Sequence, residues 1–402
     1  MNRTIRPLLK VMGDRVTEFL GYRYTLAAMH QKLGFSKSHS FRQLVTAIVV
    51  VALMAGCAAL PATPPATEDA RHDEDHDHDE GHDHAVQMAA LPALSSIALG
   101  EGEKLRVVAT TNIVGDVVRQ VGGDSIELVQ LLPIGADPHS YQTRPDDLRQ
   151  LNNAHVIFVN GLHLEEAMQP VLDNLDSGAP VIAVNAGVPT LEFGAEHDDD
   201  HSGDHDGSQE EEHHSAEEAG DGHHHEGVDP HTWMDVHNIE IWVDNVAAVL
   251  SALDPAHADL YAANADAYRT QLDELHEQIV AAVALIPPER RKLVTDHDNL
   301  AYLANAYGFT VAGTVIPSLS TLASPSAQDL AALQRQIEQE GIKAIFVGTT
   351  VNPNIAARIA GDTGAIVVPI YTGSLSDEQG PAATYIEMMR YNSEEIVRAL
   401  AD

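Results

Sequence analysis

Residues Pro255 to Ile286 read PAHADLYAANADAYRTQLDELHEQIVAAVALI, and within them Tyr261, Ala265, Tyr268, Leu272, Leu275, Ile279 and Val283 recur at three- or four-residue steps. That spacing predicts one long amphipathic helix. Roughly 30 residues rising about 1.5 Å each make about 45 Å, enough to run the length of a two-lobed molecule. Such a helical connection is stiffer than a Gly/Ser linker, so the lobes it joins should not swing freely. On both sides of it short apolar runs alternate with helical patterns, the signature of parallel-sheet α/β units. Before it, strands are expected at Leu105–Ala109, Ile126–Leu132, His155–Val159 and Val181–Ala183, with helices near Ile113–Val121, Pro145–Leu151 and Leu164–Leu175. After it, strands are expected at Lys292–Thr295, Thr310–Thr314, Ala344–Val347 and Ala365–Pro369, with helices at Leu300–Tyr307, Ala327–Gln339, Asn354–Gly361 and Ala383–Leu400. Ser326 and Asp329 form a capping-box pattern. The fold class is therefore α/β, an N-terminal lobe over 103–254, a linker helix over 255–287 and a C-terminal lobe over 288–402.

The 402 residues exclude a lone small domain, and a formal net charge of −37 argues against nucleic acid as a partner. The acidity is uneven. Glu68 to His84 holds 9 acids with His72, His76, His78, His82 and His84, and Glu196 to Gly227 holds 13 acids with His197, His201, His205, His213, His214, His223, His224 and His225. Outside these two tracts 38 acids face 22 bases, an ordinary balance for a soluble acidic protein. Alternating His and Asp/Glu on a backbone that must be ordered on binding makes many weak, interchangeable metal sites.

Cys57 is the only cysteine, which excludes an intramolecular disulfide and a cysteine-rich metal site. It follows a basic stretch (Lys32, Lys37, Arg42), the apolar run Leu44 to Ala55 and Gly56, in the order of a secretory signal. Met54-Ala55-Gly56-Cys57 resembles a bacterial lipobox, which implies cleavage before Cys57 and its lipidation. Residues 1–56 are accordingly read as signal, with Met29 as an alternative start of more usual length, and residues 57–102 as a polar, flexible tether that anchors the protein to the membrane.

Ten histidines lie outside the tracts. His30 and His39 are lost with the signal, His155 opens a strand, and His237, His257 and His276 sit on helical patterns facing solvent. His163, where a strand meets a helix, could stand near a site. Three others are marked by context. His139 lies in Gly135-Ala136-Asp137-Pro138-His139-Ser140-Tyr141, His231 in Val228-Asp229-Pro230-His231-Thr232-Trp233-Met234-Asp235, and His297 in Val294-Thr295-Asp296-His297-Asp298, directly after the first strand of the second lobe. Ligands of open parallel sheets bind beyond the carboxyl ends of the strands. A proline before a ligand stiffens its approach, and Asp137, Asp229, Asp235, Asp296 and Asp298 are at hand to orient imidazoles through their second nitrogens. Three neutral imidazoles favour Zn²⁺ over hard ions, although softness alone leaves Cu²⁺ and Ni²⁺ open.

These motifs resemble the cluster A-I solute-binding proteins of zinc and manganese ABC transporters, the ZnuA-like and TroA-like family, over roughly residues 103–402. Asp296-His297-Asp298-Asn299-Leu300-Ala301-Tyr302-Leu303, Pro325-Ser326-Ala327-Gln328-Asp329-Leu330 and Met388-Met389-Arg390-Tyr391-Asn392 add to the match. The resemblance implies two α/β lobes bridged by a long helix, a metal buried between the lobes, and a zinc-type ligand set of His139, His231 and His297, since manganese members usually carry Glu at the third position. It also implies an ABC-transporter permease as partner and, as cargo, Zn²⁺, with Mn²⁺ or other divalent ions bound more weakly. A monomer is expected. One departure stands out: many relatives place an Asp ligand where this chain has Gly373, within Ile370-Tyr371-Thr372-Gly373-Ser374-Leu375. The fourth position then falls to water, to Asp377 or to a tract residue, with water preferred.

The leading expectation is an extracytoplasmic receptor that captures Zn²⁺ and delivers it for import without chemical turnover. Two alternatives remain open, a zinc-sequestering lipoprotein dominated by its tracts and a zinc hydrolase or hydratase using a His₃-bound water. Against the second, the sequence holds no His-Glu-x-x-His motif.

Overall fold

The computed structural model describes residues 91–193 and 227–401. The signal region, Cys57 and both His/Asp tracts lie outside the described residues. The N-terminal lobe is built on four parallel strands, β1 (Leu105–Ala109), β2 (Ile126–Gln130), β3 (Val156–Val159) and β4 (Val181–Ala183), in the order β2-β1-β3-β4. A two-stranded ribbon of β5 (Glu192–Phe193) and β6 (Gly227–Val228) follows. The C-terminal lobe repeats the parallel arrangement with β7 (Lys292–His297), β8 (Thr310–Ile316), β9 (Ala344–Gly348) and β10 (Ile366–Ile370), ordered β10-β9-β7-β8. Counted from its own first strand, each sheet has the order two-one-three-four. Both therefore turn back on themselves beside the first strand, which is where open α/β sheets form their binding crevice. The central strands β3 (VIFV) and β9 (AIFVG) are buried along their whole length because helices cover both faces, so they read as continuous apolar runs.

Nine α-helices are present among the described residues: α1 (Asn112–Gly122), α2 (Pro145–Asn153), the short α3 (Gln169–Leu172), α4 (Val236–Leu253), α5 (Ala258–Val283), α6 (Ala301–Tyr307), α7 (Ala327–Glu340), α8 (Asn354–Thr363) and α9 (Tyr385–Leu400). With the 3₁₀ turn Pro255–His257 before it, α5 forms a 29-residue helical stretch linking the lobes. Its seven buried residues are the seven expected from the periodicity. It packs against α1 of the first lobe and α9 of the second, so one apolar stripe is shared between both cores. The Ser326 capping box forms as expected, with Asp329 N–H donating to Ser326 Oγ at 3.1 Å and Ser326 N–H to Asp329 Oδ2 at 2.8 Å. None of these helices is long and apolar enough to cross a membrane.

Two expectations need correction, and one helix was not anticipated. The tether does not extend to residue 102. Leu91, Leu94, Ile97 and Leu99 pack partly buried against the core, and Ile97 N–H donates to Leu253 O at 2.8 Å, so the folded unit includes the stretch from residue 91 onward. The helix expected over Leu164–Leu175 is replaced by a 3₁₀ turn (Glu166–Met168) and α3. Gly161, Leu162 and His163 all hold positive φ (87°, 54° and 63°), and the buried Glu165 carboxylate accepts the N–H groups of Asn160 and Gly161, so regular helix cannot begin earlier. The 18-residue α4 was marked in sequence only by His237; its buried Trp242, Val243, Val246, Val249 and Leu250 keep helical spacing, but the apolar Ile241, Ala247 and Ala248 outside that face mask the stripe.

Candidate metal centre

His297 closes β7 at the carboxyl edge of the second sheet. His139 arrives in the loop after β2 of the first sheet, and His231 in the loop after β6. All three are buried, at 3 %, 2 % and 3 % exposure for His139, His231 and His297, and one nitrogen of each lies within 4.8 Å of the others. The Nε2 atoms of His139 and His231 stand 3.2 Å apart. Two nitrogens on a tetrahedral zinc ion, each about 2.0–2.1 Å from the metal, are separated by about 3.3 Å. The pair is therefore already spaced as two ligands of one ion. His297 Nε2 is buried without a hydrogen-bond partner, an arrangement that costs free energy unless something such as a cation meets it.

The carboxylates divide by role. Asp229 Oδ1 lies 2.8 Å from His231 Nδ1 and also accepts the His231 backbone N–H at 2.9 Å. Asp296 Oδ1 lies 2.6 Å from His297 Nδ1. An Nδ1–H held by a carboxylate leaves the Nε2 lone pair for the metal and raises its basicity. Asp296 is fixed in turn by Asn299 Nδ2 at 3.2 Å and, through its other oxygen, by the Gly348 backbone N–H. Only glycine fits at 348: a Cβ there would stand 2.2 Å from Thr372 Oγ1. The other three carboxylates do not orient these rings. Asp137 accepts the His139 N–H and, across the lobes, Thr321 Oγ1 at 2.6 Å; Asp235 caps α4; Asp298 accepts only Thr314 Oγ1, at 3.5 Å. Burial, reinforced by Asp229, pushes the Asp298 carboxyl up to about 7.

Burial, then the neighbouring His231 and His297, pushes the His139 pKa down to about 2. Burial likewise lowers that of His231, against the pull of Asp229. Both rings are thus neutral at pH 7, the form that coordinates metal.

The cavity between the three rings is about 10 Å³, room for a single ion or water, and Trp233, Thr350, Thr372 and Gly373 complete its wall. Trp233 Nε1 donates to Thr372 O at 2.9 Å, pinning the His231 loop to the second lobe. A wider cleft of about 470 Å³ opens beside His139, lined by His163, Glu166, Ser318 and Ser320 among others. His163 therefore stands near the centre without joining it. Asp377 is exposed and accepts the Gln379 N–H, outside the group of three imidazoles. Asn299 could have been singled out from its place two residues after His297. Trp233 likewise stands two residues after His231, whereas Thr350 and Thr372 carry no spacing signal, because topology alone brings them to the cavity.

The chain is similar to known metal-binding proteins. Residues 107–399 match the family described as zinc-uptake complex component A, periplasmic. The chain is 31 % identical over 302 residues to the manganese-binding lipoprotein MntA of Halalkalibacterium halodurans, covering 75 % of this chain and 90 % of that protein. It is 29 % identical over 307 residues to the manganese ABC transporter substrate-binding lipoprotein PsaA of Streptococcus pneumoniae, with 75 % and 90 % covered. Among solved structures, the periplasmic zinc-binding protein TroA of Treponema pallidum superposes with a TM-score of 0.63 at 29 % identity, over 75 % of this chain and 100 % of that one. The Mn-bound periplasmic metal-binding protein of Candidatus Liberibacter asiaticus does so with a TM-score of 0.61 at 28 % identity, over 74 % and 100 %. The chain thus belongs to the ZnuA/TroA-like family, and it is an extracytoplasmic, metal-binding substrate-binding component of an ABC transporter.

Proposed function

We propose that the cargo is Zn²⁺, held by His139, His231 and His297 with water in the fourth position, and passed to a membrane permease for import. The observation that carries this reading is a buried ligand set of three imidazole nitrogens with no carboxylate oxygen among them. Imidazole suits zinc, whereas Mn²⁺ is served by carboxylate, carbonyl and water and stands lowest in intrinsic affinity among the divalent first-row ions. The orienting carboxylates Asp229 and Asp296 stand one bond behind the ligands, where they balance the charge of a dication without entering its coordination shell. With Gly373 unable to coordinate through a side chain, water is the simplest fourth donor. Three protein ligands and a water also describe catalytic zinc, but the family's proteins are receptors, and binding without turnover is the reading adopted. Cys57 serves as the lipid anchor and the His/Asp tracts as weak accessory sites; sequestration by the tracts alone would leave the cleft without a role.

The manganese names of MntA and PsaA favour a second reading, Mn²⁺ as cargo. Trp233 offers a way to choose in the full chain, because its ring lies 5.2 Å from that of His231 and so reports on the cleft. Metal-free protein titrated with each ion against a chelator of known affinity should show a tryptophan response to Zn²⁺ at much lower free ion than to Mn²⁺. Tighter binding of Mn²⁺ would overturn the zinc assignment.

A further inference from the structure

The helix hairpin α4–α5 carries a second cluster of imidazole and carboxylate side chains, distinct from the three cleft histidines. Asp235 accepts both the backbone N–H of His237, at 3.0 Å, and lies 3.2 Å from its Nδ1. This Asp-x-His geometry repeats that of Asp229 and His231, in which the carboxylate fixes the ring and leaves Nε2 free. The ring of His276, on α5, faces that of His237 with centroids 4.2 Å apart. Farther along the hairpin Asp244 pairs with Arg269. These two cross-helix pairs set one antiparallel register, and the same register brings Glu240 opposite Asp273. Each helix thus presents an imidazole and a carboxylate three residues apart, the spacing by which facing helices hold metal ions in bundle proteins.

Two atoms of this group are left over. His276 Nδ1 and Glu240 Oε1 are buried and have no hydrogen-bond partner. The neighbouring cation, Arg269, is already shared between Asp244 and Asp266. Burial followed by Asp273 raises the Glu240 pKa, while His237 and Arg269 pull it the other way, so the two carboxylates stand close enough to repel each other. Burial followed by His237 lowers that of His276, which keeps its ring neutral. A role for His237 in capping α4 accounts for its contact with Asp235 but leaves the two unpartnered atoms unexplained.

We infer that His237, Glu240, Asp273 and His276 form a second site for a divalent transition-metal ion such as Zn²⁺, bridging α4 and α5. Among the described residues only the cleft histidines already hold their ligand atoms within mutual reach. The hairpin site closes by side-chain rotation and is correspondingly the weaker of the two.

Exchange of the imidazole C2 hydrogen, followed by mass spectrometry on individual peptides, reads His237 and His276 separately from the tracts in the full chain. Adding Zn²⁺ beyond the amount that saturates the Trp233 response should slow exchange at both residues several-fold. The slowing should persist in His231→Ala, where the cleft is disabled, and disappear in Glu240→Gln/Asp273→Asn, which keeps the side-chain shapes. Unchanged exchange at His237 and His276 would overturn the site. So would slowing that is lost in His231→Ala, or that survives loss of both carboxylates. Failure of the cleft assignment alone would leave the hairpin result intact.

Discussion

The two lobes share a strand order and yet deliver the three cleft histidines differently. In the second lobe His297 is the last residue of β7, the first strand of its sheet, and is held by Asp296 beside it. The matching end of β1 in the first lobe is Ala109, followed by Thr110, Thr111 and Asn112, which serve packing and interlobe contacts: Asn112 Oδ1 accepts the Leu375 N–H at 2.8 Å. That lobe instead sends His139 from the loop after its second strand, stiffened by Pro138, and His231 from beyond β6. The same topology creates two facing crevices; which residue fills each is decided locally. The resulting cluster has one strand-end histidine on a rigid support and two loop histidines, and it exists only while the lobes are apposed.

The sharpest way to break this comparison is to remove one lobe's contribution. His297→Ala and His231→Ala should each weaken zinc binding at the cleft by more than about a hundredfold, since loss of a supporting group alone costs about 10–100-fold. Chelator competition read by Trp233 fluorescence measures both; tight binding that survives His297→Ala would assign the site to the first lobe alone. The orienting carboxylates come next. Asp296→Asn and Asp229→Asn should each cost about tenfold or more, with the larger loss at Asp296. Asp296 also accepts from Asn299 and Gly348, whereas the Oδ2 of Asp229 is buried without a partner.

A smaller effect concerns pH. His139 has no carboxylate behind its ring, and its folded-state pKa of about 2 lies well below the ordinary His value. Between about pH 6.5 and pH 2 the unfolded chain binds a proton here that the folded chain does not. Metal-free protein should therefore be destabilised as pH falls below about 6.5, by up to about 1.4 kcal/mol per pH unit from this group. Denaturant unfolding at pH 7.5 and 5.5 should show a shallower pH slope in His139→Gln; an unchanged slope would place the proton uptake elsewhere. The smallest effect is expected at Gly373. A Cβ there would stand 3.0 Å from Thr350 Oγ1 and 3.2 Å from Pro138 Cδ, so Gly373→Ala should reduce zinc affinity only several-fold, and Thr350→Ala should relieve the loss in the double variant. Competition titration of the three variants tests this; a gain in affinity from Gly373→Ala alone would mean that the wall is looser than its contacts indicate.

The sequence made the three histidines legible because each stands in a context that recurs or ends a strand: Asp-Pro-His twice, and Asp-His-Asp after β7. The long α5 was legible because its buried stripe is narrow and regular. What escaped has physical reasons. Asp137, Asp235 and Asp298 neighbour the cleft histidines in sequence, yet backbone direction turns them to a cross-lobe contact, a helix cap and a half-buried threonine. Thr350 reaches the cavity only because β9 lies beside β7, a pairing no local pattern encodes. His276 reads as a solvated helix residue by spacing, but the hairpin partner α4 half-buries it against His237.

The central claim is that His139, His231 and His297 form one zinc centre between the lobes. Crystals of the full chain grown with equimolar Zn²⁺ and Mn²⁺, with anomalous data collected at both absorption edges, test it most directly. The account predicts a zinc signal within bonding distance of one nitrogen from each of the three rings and no manganese signal there. Manganese at that position, or zinc bound without His297, would contradict it.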